Sequence, residues 1–312
     1  MSAATSTTGA APAPNAAAPT ARFDQRFLRT LETLSVLVKR RFAGLAPADR
    51  RTRRVGAGIE FADHRAYAPG DDLRYLDWNL YGRVGRLLVR LFEEDEDLSI
   101  SILVDASASM GMGQPRKLDL ALQVGAALAY VGLANLDRVS LYPIGDQLQG
   151  GPAPGRGKSR ILPLLRFLDG VTPAGRTDLA AAVRAFLRQH RRGRRGLVIL
   201  ISDFFDPAGY RQALDLLRFD RFETMVIQIS APEEANPSLR GDVTIADVET
   251  GEERELTVAP AVIDAYLRRR TALLRGLEGF CRERAVPCFC ITSDMPFDDV
   301  VLRLFRAGNV LR

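Results

Sequence analysis

The sequence predicts an α/β fold, a mostly parallel sheet with helices on both faces, and three observations support it. LSISILVDAS (98–107), GLVILISDF (196–204) and ETMVIQIS (223–230) are nearly continuous apolar runs, as strands covered on both faces require. Stretches with apolar residues at helical spacing lie between them, so strand and helix alternate along the chain. Two of the runs also lead into carboxylates, Asp105 and Asp203, at the carboxyl edge where open parallel sheets bind ligands.

From the N-terminus, residues 1–22 are dominated by Ala, Pro, Ser and Thr, with no large apolar residue after Met1. Such a segment cannot offset its ordering entropy and is expected to be a disordered tail; it also lacks the basic and apolar regions of a secretory signal. Phe23, Phe27, Leu31, Leu34 and Val38 then recur at helical spacing among charges, predicting an amphipathic helix over 23–43. A basic, irregular stretch is expected to about residue 58, followed by GIEFADHRAYAPGDDLRYLDWNLYGRVGRLLVRLFEEDED (58–97). Here Ala68-Pro69-Gly70-Asp71 fits a type II turn, with Pro fixing φ and Gly supplying the positive one. Asp71 or Asp72 can cap a short helix over 73–78, and LLVRLFEE reads as a strand that turns at EDED.

Beyond residue 98, strands are expected at 98–107, 138–145, 196–204, 223–230 and 287–293. Helices are expected near 117–134, 159–168, 178–190, 207–218, 260–284 and 297–306, with a Gly/Pro-rich loop or short hairpin at 147–157. GDVTIADVETGEERELTV interrupts the alternation as a two-stranded insertion over about 240–259, turning at Thr250-Gly251. The organisation that follows is a tail (1–22), an N-terminal helix with an unusual charged segment (23–97), and one α/β domain (98–312).

A chain of 312 residues with 46% hydrophobic content can bury a full core. No run approaches the ~18 apolar residues that span a bilayer, so a soluble, cytoplasmic protein without membrane insertion is expected. Cys281, Cys288 and Cys290 lack zinc-site spacing, and the only histidines, His64 and His190, are distant in sequence; the thiols are expected to be small core residues. The net charge of +5 and the runs RRGRR (191–195) and RRR (268–270) raise the question of an anionic partner. Among the basic residues, however, only Lys39, Lys117 and Lys158 are lysines, the sign of a general Arg bias, and acids are interspersed throughout. No aromatic-interleaved basic face or nucleic-acid module is present, so no nucleic-acid partner is expected.

The segment LVDASASMG (103–111) places Asp105, Ser107 and Ser109 at a strand end. Asp203 closes a second strand, and Thr177, in GRTDL just before a helix, can reach the same rim; Thr172 lies close to it in sequence. Two carboxylates and three hydroxyls, without imidazole or thiolate, suit Mg²⁺ or Mn²⁺ rather than Zn²⁺. So few anionic ligands leave room for waters or an outside carboxylate. Ser and Asp are also ordinary caps and turn formers, so the later Thr and Asp are what distinguish this pattern from a turn.

These three segments resemble the metal-ion-dependent adhesion site of von Willebrand factor type A domains, with Asp105, Ser107 and Ser109 in the first segment, Thr177 in the second and Asp203 in the third. The resemblance implies a von Willebrand A-like (Rossmann-like) domain that holds Mg²⁺ through direct and water-mediated oxygens and completes it with a partner's acidic residue. Upstream, PGDD and RYLDW, running on into DASASM, resemble the signature of domain-of-unknown-function family 58 over about residues 53–294. That bacterial family implies work with a MoxR-type AAA+ ATPase in assembling, activating or inserting metal into a client protein. The signature residues Arg65, Tyr67, Asp71, Asp72, Arg74, Asp77, Trp78 and Arg83 are either an ion-pair network pinning the segment to the sheet or a recognition surface. Opposite charges packed so tightly favour the structural role.

Two rival activities follow from the same residues. GPAPGRGKS (151–159) has Pro152 where a phosphate loop needs glycine, so ATP binding is not expected. A Mg²⁺-dependent hydrolase or phosphotransferase using the strand-end carboxylates is the alternative. An aspartyl nucleophile would normally bring a second acid two residues on, where this chain has Ser107, and no general base is evident. The expectation is therefore a metal-dependent protein-binding module and not an enzyme.

Overall fold

The computed structural model describes residues 22–42, 51–55, 60–95, 99–190 and 196–307. The predicted N-terminal helix is α1 (Gln25–Phe42), which buries Phe27 and Leu31 in the core with Phe23 packed beside them. Residues 1–21 and the side chains of Leu34 and Val38 lie outside the described residues. Arg22, which the predicted boundary put in the tail, is anchored: its Nε donates to Asp119 Oδ1 at 2.6 Å and an Nη donates to the Val171 carbonyl at 2.7 Å.

The next elements are β1 (Arg51–Val55), β2 (Glu60–Ala66), α2 (Trp78–Val84) and β3 (Leu88–Asp95), the strands forming an antiparallel sheet in the order β1-β3-β2. Strand β1 corrects the expected irregular stretch. RTRRV reads locally as loop, but its register sets Arg51 and Arg53 opposite Asp95 and Glu93 of β3, a pairing that no local pattern contains. The turn forms as predicted, with Gly70 at φ 105° and Asp71 N–H donating to the Ala68 carbonyl. The helix expected over 73–78 is split in two. Asp72 caps a 3₁₀ turn at Leu73–Tyr75, the chain extends through Leu76, and Asp77 caps α2, which ends at Gly85 with φ 70°. Two capping aspartates five residues apart start two elements.

The central sheet and its helices follow: β4 (Ser99–Asp105), α3 (Lys117–Ala134), β5 (Arg138–Ile144), α4 (Ile161–Asp169), α5 (Leu179–Gln189), β6 (Gly196–Ser202), α6 (Arg211–Phe219) and β7 (Glu223–Ser230). Then come the short α7 (Pro232–Ala235), the hairpin β8 (Gly241–Ala246) and β9 (Glu253–Val258), α8 (Pro260–Glu283), β10 (Cys288–Thr292) and α9 (Phe297–Ala307). Five strands pair in the order β10-β7-β6-β4-β5, all parallel. The fold is thus the predicted α/β architecture with helices on both faces.

Alternate side chains along each strand build the two halves of the core. Ile100, Ile102 and Val104 of β4, with Ile199 and Ile201 of β6, pack under α1, α3, α4 and α9. Leu103, Val198 and Leu200 point the other way, under α5, α6 and α8. Each such fully buried side chain stabilises the fold by about 1.5–3 kcal/mol.

Helix α3 corrects a second expectation, since in length and composition it suffices to cross a membrane. Of that span 83% is buried inside the fold, and a helix apolar all round is what the centre of a layer requires. Gly132 lets it approach the sheet: a Cβ there would lie 2.7 Å from Val139 Cγ2 and 2.9 Å from Ile100 Cδ1. Of the cysteines only Cys281 is fully buried; Cys288 and Cys290 are half-buried on the edge strand β10.

His190 closes α5 against Phe186, Tyr142 and Phe222, its Nε2 3.3 Å from Ser101 Oγ. Burial holds its pKa below the usual histidine value. The unfolded chain therefore binds the proton more readily, so stability is present above about pH 6.5 and is lost as pH falls through that value. His190→Gln is expected to flatten this dependence, read as the urea midpoint between neutral and mildly acidic pH.

Candidate functional site

Strand β4 has β5 on one side and β6 on the other, and the helices that follow β4 and β6, α3 and α6, cover opposite faces. The chain therefore parts at the carboxyl ends of β4 and β6, which makes the crevice that α/β sheets use for ligands. Asp105 and Asp203 stand at these two ends, each 0% exposed.

Asp105 Oδ1 accepts the Ser107 N–H at 2.9 Å, and its Oδ2 accepts the Ser202 hydroxyl at 2.5 Å. No cation pairs with it among the described residues. Burial above all, and then the charge of Asp203, push its pKa up to about 7, against the pull of those hydrogen bonds. Ser107 Oγ and Ser109 Oγ lie 3.0 Å apart, in a 3₁₀ turn at Ala108–Gly111 that follows β4. Asp105, Ser107 and Ser109 are thus gathered as the sequence predicts.

Thr177 reaches this rim through backbone pairing. Ala174 N–H donates to the Ala106 carbonyl and Ala108 N–H to that of Gly175, lacing the loop before α5 to the loop after β4. Thr177 is 7% exposed, whereas Thr172 points to solvent, so Thr177 is the loop's inward hydroxyl. Among the described residues it makes no side-chain hydrogen bond to Asp105, Ser107 or Ser109; its hydroxyl and N–H both go to Glu249, in the turn between β8 and β9.

Asp203 is committed differently. Its Oδ2 accepts Lys117 Nζ at 2.6 Å, and the same ammonium donates to Glu234 Oε1 at 2.6 Å. Burial lowers the Lys117 pKa, but the two acids more than offset it, so the ammonium is held above its ordinary value. Asp203 Oδ1 accepts the Phe205 N–H at 3.0 Å. Between them Phe204 is fully buried at φ 62°, a left-handed conformation that costs about 1–2 kcal/mol and marks backbone strain at the rim.

Sequence reasoning missed Ser202, Lys117, Glu234 and Glu249. Lys117 alone carried a signal: it is one of three lysines in an arginine-rich chain, beside Leu118 at the head of an apolar helix. The others are ordinary in their local sequence and gain meaning only from partners far along the chain.

The donors suit a hard cation. Among the described residues the rim offers carboxylate and hydroxyl oxygens without imidazole or thiolate, and Asp105 is a buried carboxylate with no counter-charge of its own. A hydroxyl oxygen can coordinate with a lone pair while donating its proton, as Thr177 does to Glu249. Among the described residues no group of three or more His, Cys, Asp or Glu side chains could hold a metal, so any ion here would depend on hydroxyls and outside ligands.

The charged segment upstream holds itself together. Arg65 donates to Asp71 at 2.9 Å, Asp71 also accepts the Ala68 N–H, and Arg74 pairs with the capping Asp72 at 2.6 Å. Asp77 accepts Arg90 Nε and meets His64 Nε2, each at 3.0 Å, and these two partners with the Leu80 N–H hold its carboxyl well below the usual range. Tyr67 N–H donates to the Leu87 carbonyl. Among the described residues these contacts form an ion-pair and hydrogen-bond network that ties the segment to β2 and β3. Trp78 and Arg83 are exposed. Trp78 is 60% exposed and edge-on to Tyr81, with Leu73 and Val84 also exposed nearby in sequence. Trp78→Ala is expected to move stability by less than about 0.5 kcal/mol, whereas Asp77→Ala, which removes a cap, the Arg90 ion pair and the His64 hydrogen bond, lowers the melting midpoint clearly. Thermal unfolding of the two variants tests the contrast.

Residues 63–273 match the family described as "Protein of unknown function DUF58". The chain is 31% identical over 277 residues to an uncharacterized protein of Mycobacterium tuberculosis (strain ATCC 25618 / H37Rv), covering 87% of this chain and 86% of that protein. It is similar to the solved structure of the conserved hypothetical protein BatB from Bacteroides thetaiotaomicron, at 14% identity and TM-score 0.42, over 67% of this chain and 98% of that one. It is also similar to a von Willebrand factor type A structure from Catenulispora acidiphila, at 14% identity and TM-score 0.36, over 59% of this chain and 44% of that one.

Proposed function

The chain belongs to the DUF58 family of proteins of unknown function, and from that premise we propose that it is a Mg²⁺-dependent protein-binding module that acts with a MoxR-type AAA+ ATPase on a client protein. The observation that carries this reading is Asp105, wholly buried at a strand end with no cation beside it among the described residues, next to two hydroxyls 3.0 Å apart. A buried carboxylate without a counter-charge is costly to ionise, as its raised pKa records, and a bound cation would remove that cost. Asp105, Ser107 and Ser109 would hold Mg²⁺ (or Mn²⁺), with Thr177 and Asp203 completing the set. A bound ion would supply an oxygen-seeking site for an acidic side chain of the client or the ATPase. The exposed Trp78 and Arg83 would contribute recognition surface.

Binding is favoured over hydrolysis because neither histidine serves the rim: His64 is held by Asp77, and His190 lies among aromatic rings. Calorimetric titration of Mg²⁺ and Mn²⁺ into wild type and Asp105→Ala tests the metal. One ion per chain, lost in the variant, is expected; equal heats in both proteins would refute it. Co-purification with the ATPase, with and without chelator, tests the partnership. Recovery unaffected by chelator and by Asp105→Ala would overturn metal-mediated capture.

A further inference from the structure

Resting on the reading that the rim receives a carboxylate from outside, we propose that the β8–β9 hairpin is a built-in acidic cap. Glu249 occupies the place of the partner's acid, and a partner must displace it.

Both oxygens of Glu249 are engaged by one rim residue. Thr177 Oγ1 donates to Oε1 at 2.6 Å, and Thr177 N–H donates to Oε2 at 3.0 Å. The first distance is that of a charge-assisted hydrogen bond. One hydroxyl and one amide each carry a single proton, so a second carboxylate cannot take these donors while Glu249 holds them. Because Thr177 is also a proposed ligand of the ion, Glu249 held on it puts a like charge beside the position where an outside acid would meet the ion, and the hairpin and the external acid compete for the rim.

The turn is shaped to present this side chain. Asp247 Oδ1 accepts the N–H groups of Glu249 and Thr250, and the Asp247 carbonyl accepts that of Gly251. Such an Asx-type turn fixes the residue that follows the aspartate's cap. Glu249 is half-buried while its neighbours Asp247, Val248 and Thr250 are exposed.

Elsewhere the hairpin is weakly held. Of β8 only Val243 is even partly covered, and of β9 only Val258, its last residue, is buried. A two-stranded ribbon is marginally stable alone, so among the described residues the tip is kept on the rim chiefly by the Glu249 contact, with the Arg176 charge acting on Asp247 beside it. Gly241, where β8 begins, stands at φ 77° with open space around it, a place where the backbone can turn. The cap is thus strong at its tip and free along its length, as a displaceable element needs to be.

The test uses the full-length protein and blocked glutamate (N-acetyl-glutamate N-methylamide) in excess Mg²⁺, followed at the Thr177 amide by NMR. Apparent affinity scales with the open fraction, so Glu249→Ala is expected to bind the probe at least about tenfold more tightly than wild type. Adding Thr177→Val to Glu249→Ala is expected to abolish the gain. Equal affinity in wild type and Glu249→Ala, or no binding by the folded Glu249→Ala protein, would overturn the cap. Hydrogen exchange at the Thr177 amide gives a second reading in chelator: the rate should rise at least about tenfold in Glu249→Ala, and an unchanged rate would overturn the contact. Mn²⁺ titration of the same proteins separates the two ideas. Failure of Mn²⁺ to bind either would sink the metal reading, while the exchange data in chelator would still decide the cap.

Discussion

Lys117→Met is expected to lower stability by about 3–5 kcal/mol, the cost of removing one member of a buried charge cluster. The Lys117 side chain is 1% exposed, Asp203 0% and Glu234 14%, and the ammonium sits 2.6 Å from both carboxylates. Methionine preserves the chain's length and most of its packing, so the loss is chiefly electrostatic: two acids, one of them wholly enclosed, would face each other without a cation. Arginine would not rescue it, because a planar fork cannot replace a compact ammonium held between two carboxylates. The double replacement Asp203→Asn with Glu234→Gln in the methionine background should recover a large part of the loss, since the cost lies in the orphaned charges. Urea unfolding measures all three proteins. A midpoint shift worth less than about 1 kcal/mol at unchanged slope would show that water or a mobile side chain already compensates the acids.

This cluster also marks where sequence reading ends. The strands were legible because burial on both faces leaves apolar runs, and Asp105, Ser107 and Ser109 were legible because they lie within five residues at a strand end. Thr177 was legible only as a candidate beside Thr172; backbone lacing at Ala106 and Ala108 turns it inward. Lys117, Ser202, Glu234 and Glu249 take their roles from partners 86, 97, 117 and 72 residues away, and no local periodicity encodes such pairings. The same reason hid β1, whose charged residues look like loop until the register with β3 is known.

Asp105→Asn is expected to separate function from stability. Asp203 and Asp105 are equally buried strand-end carboxylates, yet their surroundings differ in kind. Asp203 has an ammonium at 2.6 Å, so neutralising it leaves the buried Lys117 with Glu234 alone and should destabilise the protein by a few kcal/mol. Among the described residues Asp105 has no cation, and its partners are the Ser107 N–H and the hydroxyls of Ser202 and Ser107. Asparagine can still accept from Ser107, and its amide can turn toward Ser202 Oγ, while the uncompensated charge is gone. In metal-free buffer Asp105→Asn should therefore leave stability within about 1 kcal/mol of wild type or raise it, as replacements at strained functional positions do. Metal affinity should fall by more than about a hundredfold, beyond the effect of losing a merely supporting group. Excess Mg²⁺ should then raise the melting midpoint of wild type, in which binding is linked to folding, and leave that of Asp105→Asn unmoved. If Asp105→Asn instead destabilised the metal-free protein as strongly as Asp203→Asn, the carboxylate would be a structural anchor and the rim would have no need of an ion.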